Sequence, residues 1–119
     1  MSDFSVQSML KQHPDFAHVS ESALSELALQ AGHRTFAANE MIFLEGEPSA
    51  GLWIVENGRV KAYKLSPDGQ EYIMRFFGPG HTFNNLAALD GAPNPVSTMA
   101  VSDVSAWVID TAVFSQALQ

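Results

Sequence analysis

From His33 onward the chain is cut by turn residues into short runs rich in β-branched and aromatic side chains, at intervals that fit an all-β barrel or sandwich. Candidate strands fall at 33–38, 41–44, 51–56, 59–65, 71–77, 97–101 and 104–110. Two of the turns are specific. Glu56-Asn57-Gly58-Arg59 separates Gly51-Leu52-Trp53-Ile54-Val55 from Val60-Lys61-Ala62-Tyr63, and Asn-Gly tolerates the positive φ angles of a type I′ turn, so these two runs are expected to pair antiparallel. Ser66-Pro67-Asp68-Gly69 forms the next turn by proline and glycine chemistry, which makes a meander of three consecutive strands.

The first 32 residues read as helical instead. Phe4, Met9 and Leu10 form an apolar set ended by His13-Pro14. In a second helix Ser20 is a good N-cap and Glu21 suits the positive helix end; Leu24, Leu27, Ala28 and Ala31 line one face and Gly32 is placed to stop it. Further on, Asn85 to Leu89, bounded by Gly80 and Gly91, is long enough for a short helix whose N-terminal amides would point into the barrel. Asp110 or Thr111 is placed to cap a last helix containing Val113, Phe114 and Leu118. That helix reaches Gln119 after about two turns, fewer than helices usually have, and its abrupt end is expected to mark a longer helix cut short. The expected organisation is one domain over 1–119, with a helical preamble at 1–32, a β-roll at 33–110 and the start of a C-terminal helix at 111–119.

A chain of 119 residues buries enough surface to fold without staples, and its balance of 46% apolar to 16% charged residues is that of a globular domain. With no cysteine it has no disulfide framework, thiolate metal site or thiol nucleophile. No apolar run approaches the roughly 20 residues that span a bilayer, and Met1-Ser2-Asp3-Phe4 lacks the basic start of a secretory signal, so a cytoplasmic setting without membrane contact is expected. The net charge is −7, and no Lys or Arg follows Arg75. Nucleic-acid affinity comes largely from phosphate neutralisation by clustered cations, so these residues are not expected to bind DNA themselves.

The stretch Phe77-Gly78-Pro79-Gly80-His81-Thr82-Phe83-Asn84-Asn85-Leu86-Ala87-Ala88-Leu89-Asp90-Gly91-Ala92-Pro93-Asn94-Pro95-Val96-Ser97 resembles the phosphate-binding cassette of cyclic-nucleotide-binding domains. The family's wording is F-x-x-G-[DE]-x-F-G-E-[LI]-[AS]-x-L, a short turn, then P-R-[ST]-A-[ST]. Here Asn85 stands for the Glu, Asn94 for the Arg, Pro95 for the Ser or Thr and Val96 for the Ala. Three further blocks fall in the family's order: 38–48, 51–61 and 65–71, and Gly46, Gly58, Gly69 and Gly80 match its structural glycines. The chain is most similar in plan to the sensor domain of Crp/Fnr-type transcriptional regulators. That resemblance implies a mainly β fold, an antiparallel β-roll of jelly-roll type with N-terminal helices, a short cassette helix and a truncated C-terminal helix. It also implies a small-molecule effector, a homodimer in the full-length protein, and DNA contact only through a further C-terminal domain. A regulatory cyclic-nucleotide-binding module of a channel, kinase or transporter is the alternative. A small cupin-like enzyme is discounted, because a cupin needs clustered His and Glu on adjacent strands, and no paired-carboxylate, Ser–His–Asp or P-loop pattern supports an enzyme.

Carried over residue by residue, the resemblance implies a ligand pocket of Gly80, Phe83, Asn84, Asn85, Leu86, Ala87, Asn94, Pro95, Val96 and Ser97. The family neutralises a cyclic phosphate with a bidentate arginine and accepts a ribose hydroxyl on a carboxylate. Asn94 supplies no charge, Asn85 replaces only part of a carboxylate's acceptor strength, and Pro95 removes a backbone donor. An effector other than cAMP is therefore expected, and changing 85, 94 and 95 to Glu, Arg and Ser is expected to move the pocket toward cyclic nucleotides. Arg75 shares strand parity with Ile73 and Phe77: facing the pocket it could bind an anion, and otherwise it is a solvated surface residue, the reading favoured here. His13, His18, His33 and His81 share no metal-ligand spacing, although any could serve a haem as axial ligand; no cofactor or metal site is assigned. Trp53 is read as packing.

Overall fold

The computed structural model describes residues 5–117. In chain order the elements are α1 (Val6–Gln12), a 3-10 turn (Pro14–Phe16), α2 (Glu21–Gln30), β1 (Gly32–Phe36), β2 (Met41–Phe43), β3 (Leu52–Asn57), β4 (Val60–Leu65), β5 (Glu71–Phe77), β6 (Thr82–Phe83), α3 (Asn85–Asp90), β7 (Ser97–Ala100), β8 (Val104–Ile109) and α4 (Thr111–Ala117). The strands form two four-stranded antiparallel sheets, in the orders β1-β8-β3-β6 and β2-β7-β4-β5. The expected β-roll with flanking helices is the observed fold.

The meander is corrected. β3 pairs with β6 and β8, while β4 pairs with β5 and β7, so Asn57-Gly58 carries the chain from one sheet to the other instead of closing a hairpin. The reason lies in β3 itself. Leu52, Trp53, Ile54 and Val55 are all buried, a continuous apolar run that needs cover on both faces. Trp53 and Val55 turn into the roll against Phe36, Phe43, Val60, Phe77 and Phe83, whereas Leu52 and Ile54 turn outward against Leu10, Leu24, Leu27, Ile109 and Phe114. Moving β4 to the opposite sheet closes the first of these cores and leaves the other face to the helices. The glycine is still required: Gly58 has φ 93°, and a Cβ there would lie 2.2 Å from the Asp103 carbonyl oxygen. Only the β4–β5 hairpin forms as expected, its turn held by Ser66 N–H donating to the Gln70 oxygen at 2.9 Å.

The helical segment follows its capping signals with one exception. Ser5 accepts from the Ser8 amide to cap α1, whose Val6 and Leu10 are buried and Met9 half-buried. Ser20 accepts from the Ala23 amide at 3.1 Å to cap α2. Gly32 does not stop this helix: Ala31 has already turned extended (φ −70°, ψ 133°), and Gly32 begins β1 opposite Val108. Asp110 Oδ1 accepts from the Ala112 amide at 2.9 Å and so caps α4. The expected contributions of Phe4 and Leu118 lie outside the described residues. β6 was not anticipated, since a two-residue strand is too short for any periodicity to show.

Candidate functional site

The cassette is built on a backbone that two residues bend sharply. Gly80 (φ 87°) ends the loop after β5, and Asn84 (φ 67°) sits in the left-handed region just before α3, a conformation asparagine tolerates better than most side chains. Asn84 is held there by its own amide, which donates to the Gly51 oxygen at 2.9 Å and to Asn94 Oδ1 at 3.1 Å. α3 closes at Gly91, whose N–H donates to the Ala87 oxygen.

Against this loop lies a cleft of about 440 Å³ lined by His13, Arg75, Phe77, Gly80, His81, Thr82, Phe83, Asn84 and Asn85, within the size range of small-ligand sites. Three parts of the chain meet there: the α1 terminus through His13, β5 through Arg75 and Phe77, and the cassette. Thr82 ties the α1 terminus to the cassette. Its Oγ1 accepts from Asn85 Nδ2 at 2.9 Å and lies 3.1 Å from His13 Nε2. His81 Nδ1 accepts from the Gly78 amide at 2.9 Å, which leaves Nε2 to carry the ring proton as a donor.

Of the ten residues carried over by resemblance, Gly80, Phe83, Asn84 and Asn85 line this cleft and the other six do not. Leu86 is 71% exposed on the outer side of α3, and Ala87 is buried beneath it. Pro95 is exposed, Val96 packs on the roll core, and Ser97 Oγ accepts from the Glu45 amide at 2.8 Å. Asn94, only 2% exposed, is a scaffold residue. Its Oδ1 accepts from Ala50 N–H at 2.9 Å and from Asn84, and its Nδ2 donates to the Leu44 oxygen at 3.1 Å. Its backbone N–H donates to the Glu47 oxygen and its oxygen accepts from Gly46 N–H. Position 94 therefore stitches the 44–50 loop to the cassette.

Sequence reasoning favoured the surface reading of Arg75, and here the structure corrects it: Arg75 lines the cleft. The shared parity of Arg75 and Phe77 holds, and both line the cleft; only Ile73 leaves the set, because β5 is bulged. Arg75 pairs with Ala62 but Ile73 pairs with Tyr63, so Met74 is an extra residue and alternation breaks. His13 and Thr82 were also absent from the expected pocket; 69 residues separate them, and no local pattern reports such a contact.

A second polar cluster sits at Glu56 of β3. Its carboxylate meets His33 Nε2 and Ser105 Oγ at 3.0 Å and accepts from Trp107 Nε1 at 3.1 Å. Burial pushes the Glu56 carboxyl up, but the hydrogen bonds from His33, Trp107 and Ser105 outweigh it and hold it below its ordinary value. Ser105 and His33 both meet the carboxylate and not each other, so the imidazole is not set against the hydroxyl. Its role is to tie β1, β3 and β8 across the outer face of their sheet.

With the geometry in hand, comparison with known proteins decides the family. The family model for the cyclic nucleotide-binding domain matches residues 33–119. The chain belongs to this family. The cyclic-nucleotide-binding domain described here is 33% identical over 95 residues to the CRP-like cAMP-activated global transcriptional regulator of Mycobacterium tuberculosis, covering 80% of this chain and 42% of that protein. The chain thus spans less than half of that regulator's length. Its fold matches the sensor domain of the transcriptional regulator DNR from Pseudomonas aeruginosa with a TM-score of 0.85 at 25% identity, covering 95% of this chain and 76% of the other. It also matches the regulatory domain of Toxoplasma gondii PKA with cAMP, with a TM-score of 0.85 at 28% identity, over 93% of this chain and 42% of the other. Among the described residues no helix is long and apolar enough to cross a membrane.

Proposed function

We propose that this domain is the effector-sensing module of a Crp/Fnr-type transcriptional regulator, a binding module and not an enzyme, and that its effector is a small molecule other than cAMP. The carrying observation is Asn94. Where the family's pattern has the phosphate-binding arginine, this chain has a buried amide whose donors and acceptors are engaged with Ala50, Asn84 and Leu44. The similarity to the M. tuberculosis regulator and to the DNR sensor domain supports the regulatory setting. In this reading DNA is reached through a separate domain of a homodimeric cytoplasmic protein, consistent with the net charge of −7. The likeness to the T. gondii kinase regulatory domain supports a second setting, a regulatory module of a kinase, channel or transporter.

The mechanism is a population shift. An occupant of the cleft touches the α1 terminus, β5 and the cassette together, so it favours whichever arrangement of the three gives it most contacts. Titration calorimetry with cAMP and cGMP tests the proposal. No binding in the micromolar range is expected, and low-micromolar affinity for either nucleotide would contradict it.

A further inference from the structure

We infer that the cleft selects a small organic anion, and that Arg75 on β5, instead of cassette position 94, supplies its counter-charge. The inference rests on the reading of the cleft as the effector site and adds the chemical class of the effector.

Charge is distributed unevenly in this molecule. The chain carries 13 acidic side chains, yet among the described residues none lines the cleft, where the ionisable residues are Arg75, His13 and His81. The three lysines are already neutralised: Lys11 pairs with Glu21, Lys61 with Glu71 and Lys64 with Glu45. Arg34, Arg59 and Arg75 instead lie over Phe36, Phe76 and Phe77, and among the described residues none of them has a carboxylate partner. Of the six cations Arg75 alone lines the cleft.

Its geometry suits anion capture. The Arg75 guanidinium carbon lies 5.1 Å from the centre of the Phe77 ring, a contact that orients the group while leaving its in-plane N–H donors uncommitted. Among the described residues it makes no hydrogen bond. A planar fork of this kind takes a carboxylate or a phosphate through two parallel hydrogen bonds. The His81 ring, with Nδ1 occupied by the Gly78 amide, offers Nε2–H as a further donor in the same cleft. Arg75 lies opposite Ala62 in unbroken register with Phe77, so ordinary strand alternation puts both side chains on this wall.

The test is a titration of the ¹⁵N-labelled domain followed by NMR, with phenyl phosphate, benzoate and uncharged benzyl alcohol as probes, on the parent, Arg75→Gln and Arg75→Lys. At least one anion should shift the amides of Thr82 to Asn85, and benzyl alcohol should not. Arg75→Gln should weaken that response at least about tenfold, and Arg75→Lys, which keeps charge but loses the fork, should fall between. A response to phenyl phosphate alone or benzoate alone supports the inference and assigns the anionic group. Benzyl alcohol shifting the same amides as strongly, or Arg75→Gln responding like the parent, overturns the inference and leaves the effector site standing. No response at Thr82 to Asn85 from any probe overturns both.

Discussion

Two polar side chains near the cassette, Asn94 and Arg75, are treated in opposite ways. Asn94 is 2% exposed, with its amide shared among Ala50, Asn84 and Leu44. Arg75 is exposed, stacked on Phe77, and has no hydrogen-bonding partner among the described residues. The first belongs to the frame and the second is available for chemistry. Resemblance alone assigns them the other way round, because in the family's pattern the charge sits at position 94. A cassette can thus keep its shape while the position that carries the arginine in the family's pattern serves as a brace between loops.

The strongest way to break this comparison is to restore the charge. Asn94→Arg places a guanidinium where a compact amide is enclosed and strands the Ala50 amide and Leu44 oxygen, so we expect a loss of about 3–5 kcal/mol in urea unfolding. One of the three changes that together are expected to move the pocket toward cyclic nucleotides should therefore first cost the fold. A parent-like midpoint would show that position 94 has room to turn outward.

Gly58→Ala should cost about 2–3 kcal/mol, since its Cβ would meet the Asp103 oxygen at 2.2 Å in a left-handed backbone. Thermal melting reads this directly. A cost near zero would mean the crossing between the sheets is more pliable than the frame described here.

Glu56 sharpens the contrast on the outer face of the β1-β8-β3 sheet. Glu56→Ala leaves the Trp107 N–H and the Ser105 hydroxyl without their acceptor and should cost about 1–2 kcal/mol. The pH dependence follows from its lowered pKa. The contribution is full above the unfolded carboxylate's pKa and is lost as pH falls through the lower folded value, on the acid side of the ordinary glutamate range. The difference in stability between parent and Glu56→Ala should shrink on acidification through that window; a difference that grows would reverse the sign.

What the sequence made legible follows from how local each signal is. The caps at Ser20 and Asp110, the Ser66-Pro67-Asp68-Gly69 turn and the α3 stop at Gly91 involve neighbours a few residues apart, and all appear in the structure. At Asn57-Gly58 only the glycine takes the positive φ expected of a type I′ turn, and the pairing differs as well, because a turn signal does not say which sheet the next strand joins. In the site, the cassette loop was legible from its resemblance to the family's motif. The opposing wall was not: His13 reaches it through the fold, and parity grouped Arg75 with Phe77 without telling which face of β5 meets the cassette. Nor could composition show that Asn94 is consumed by the 44–50 loop, since that depends on contacts up to 50 residues away.

The most direct measurement is a side-by-side urea unfolding of Asn94→Ala and Arg75→Ala. Asn94→Ala removes the acceptor and the donor of three part-buried hydrogen bonds and should cost about 2–4 kcal/mol. Arg75→Ala removes an exposed side chain with no hydrogen bond to lose and should stay within about 0.5 kcal/mol of the parent. If Asn94→Ala is tolerated as well as Arg75→Ala, or if Arg75→Ala proves the more damaging, then the division between frame and free cation is wrong.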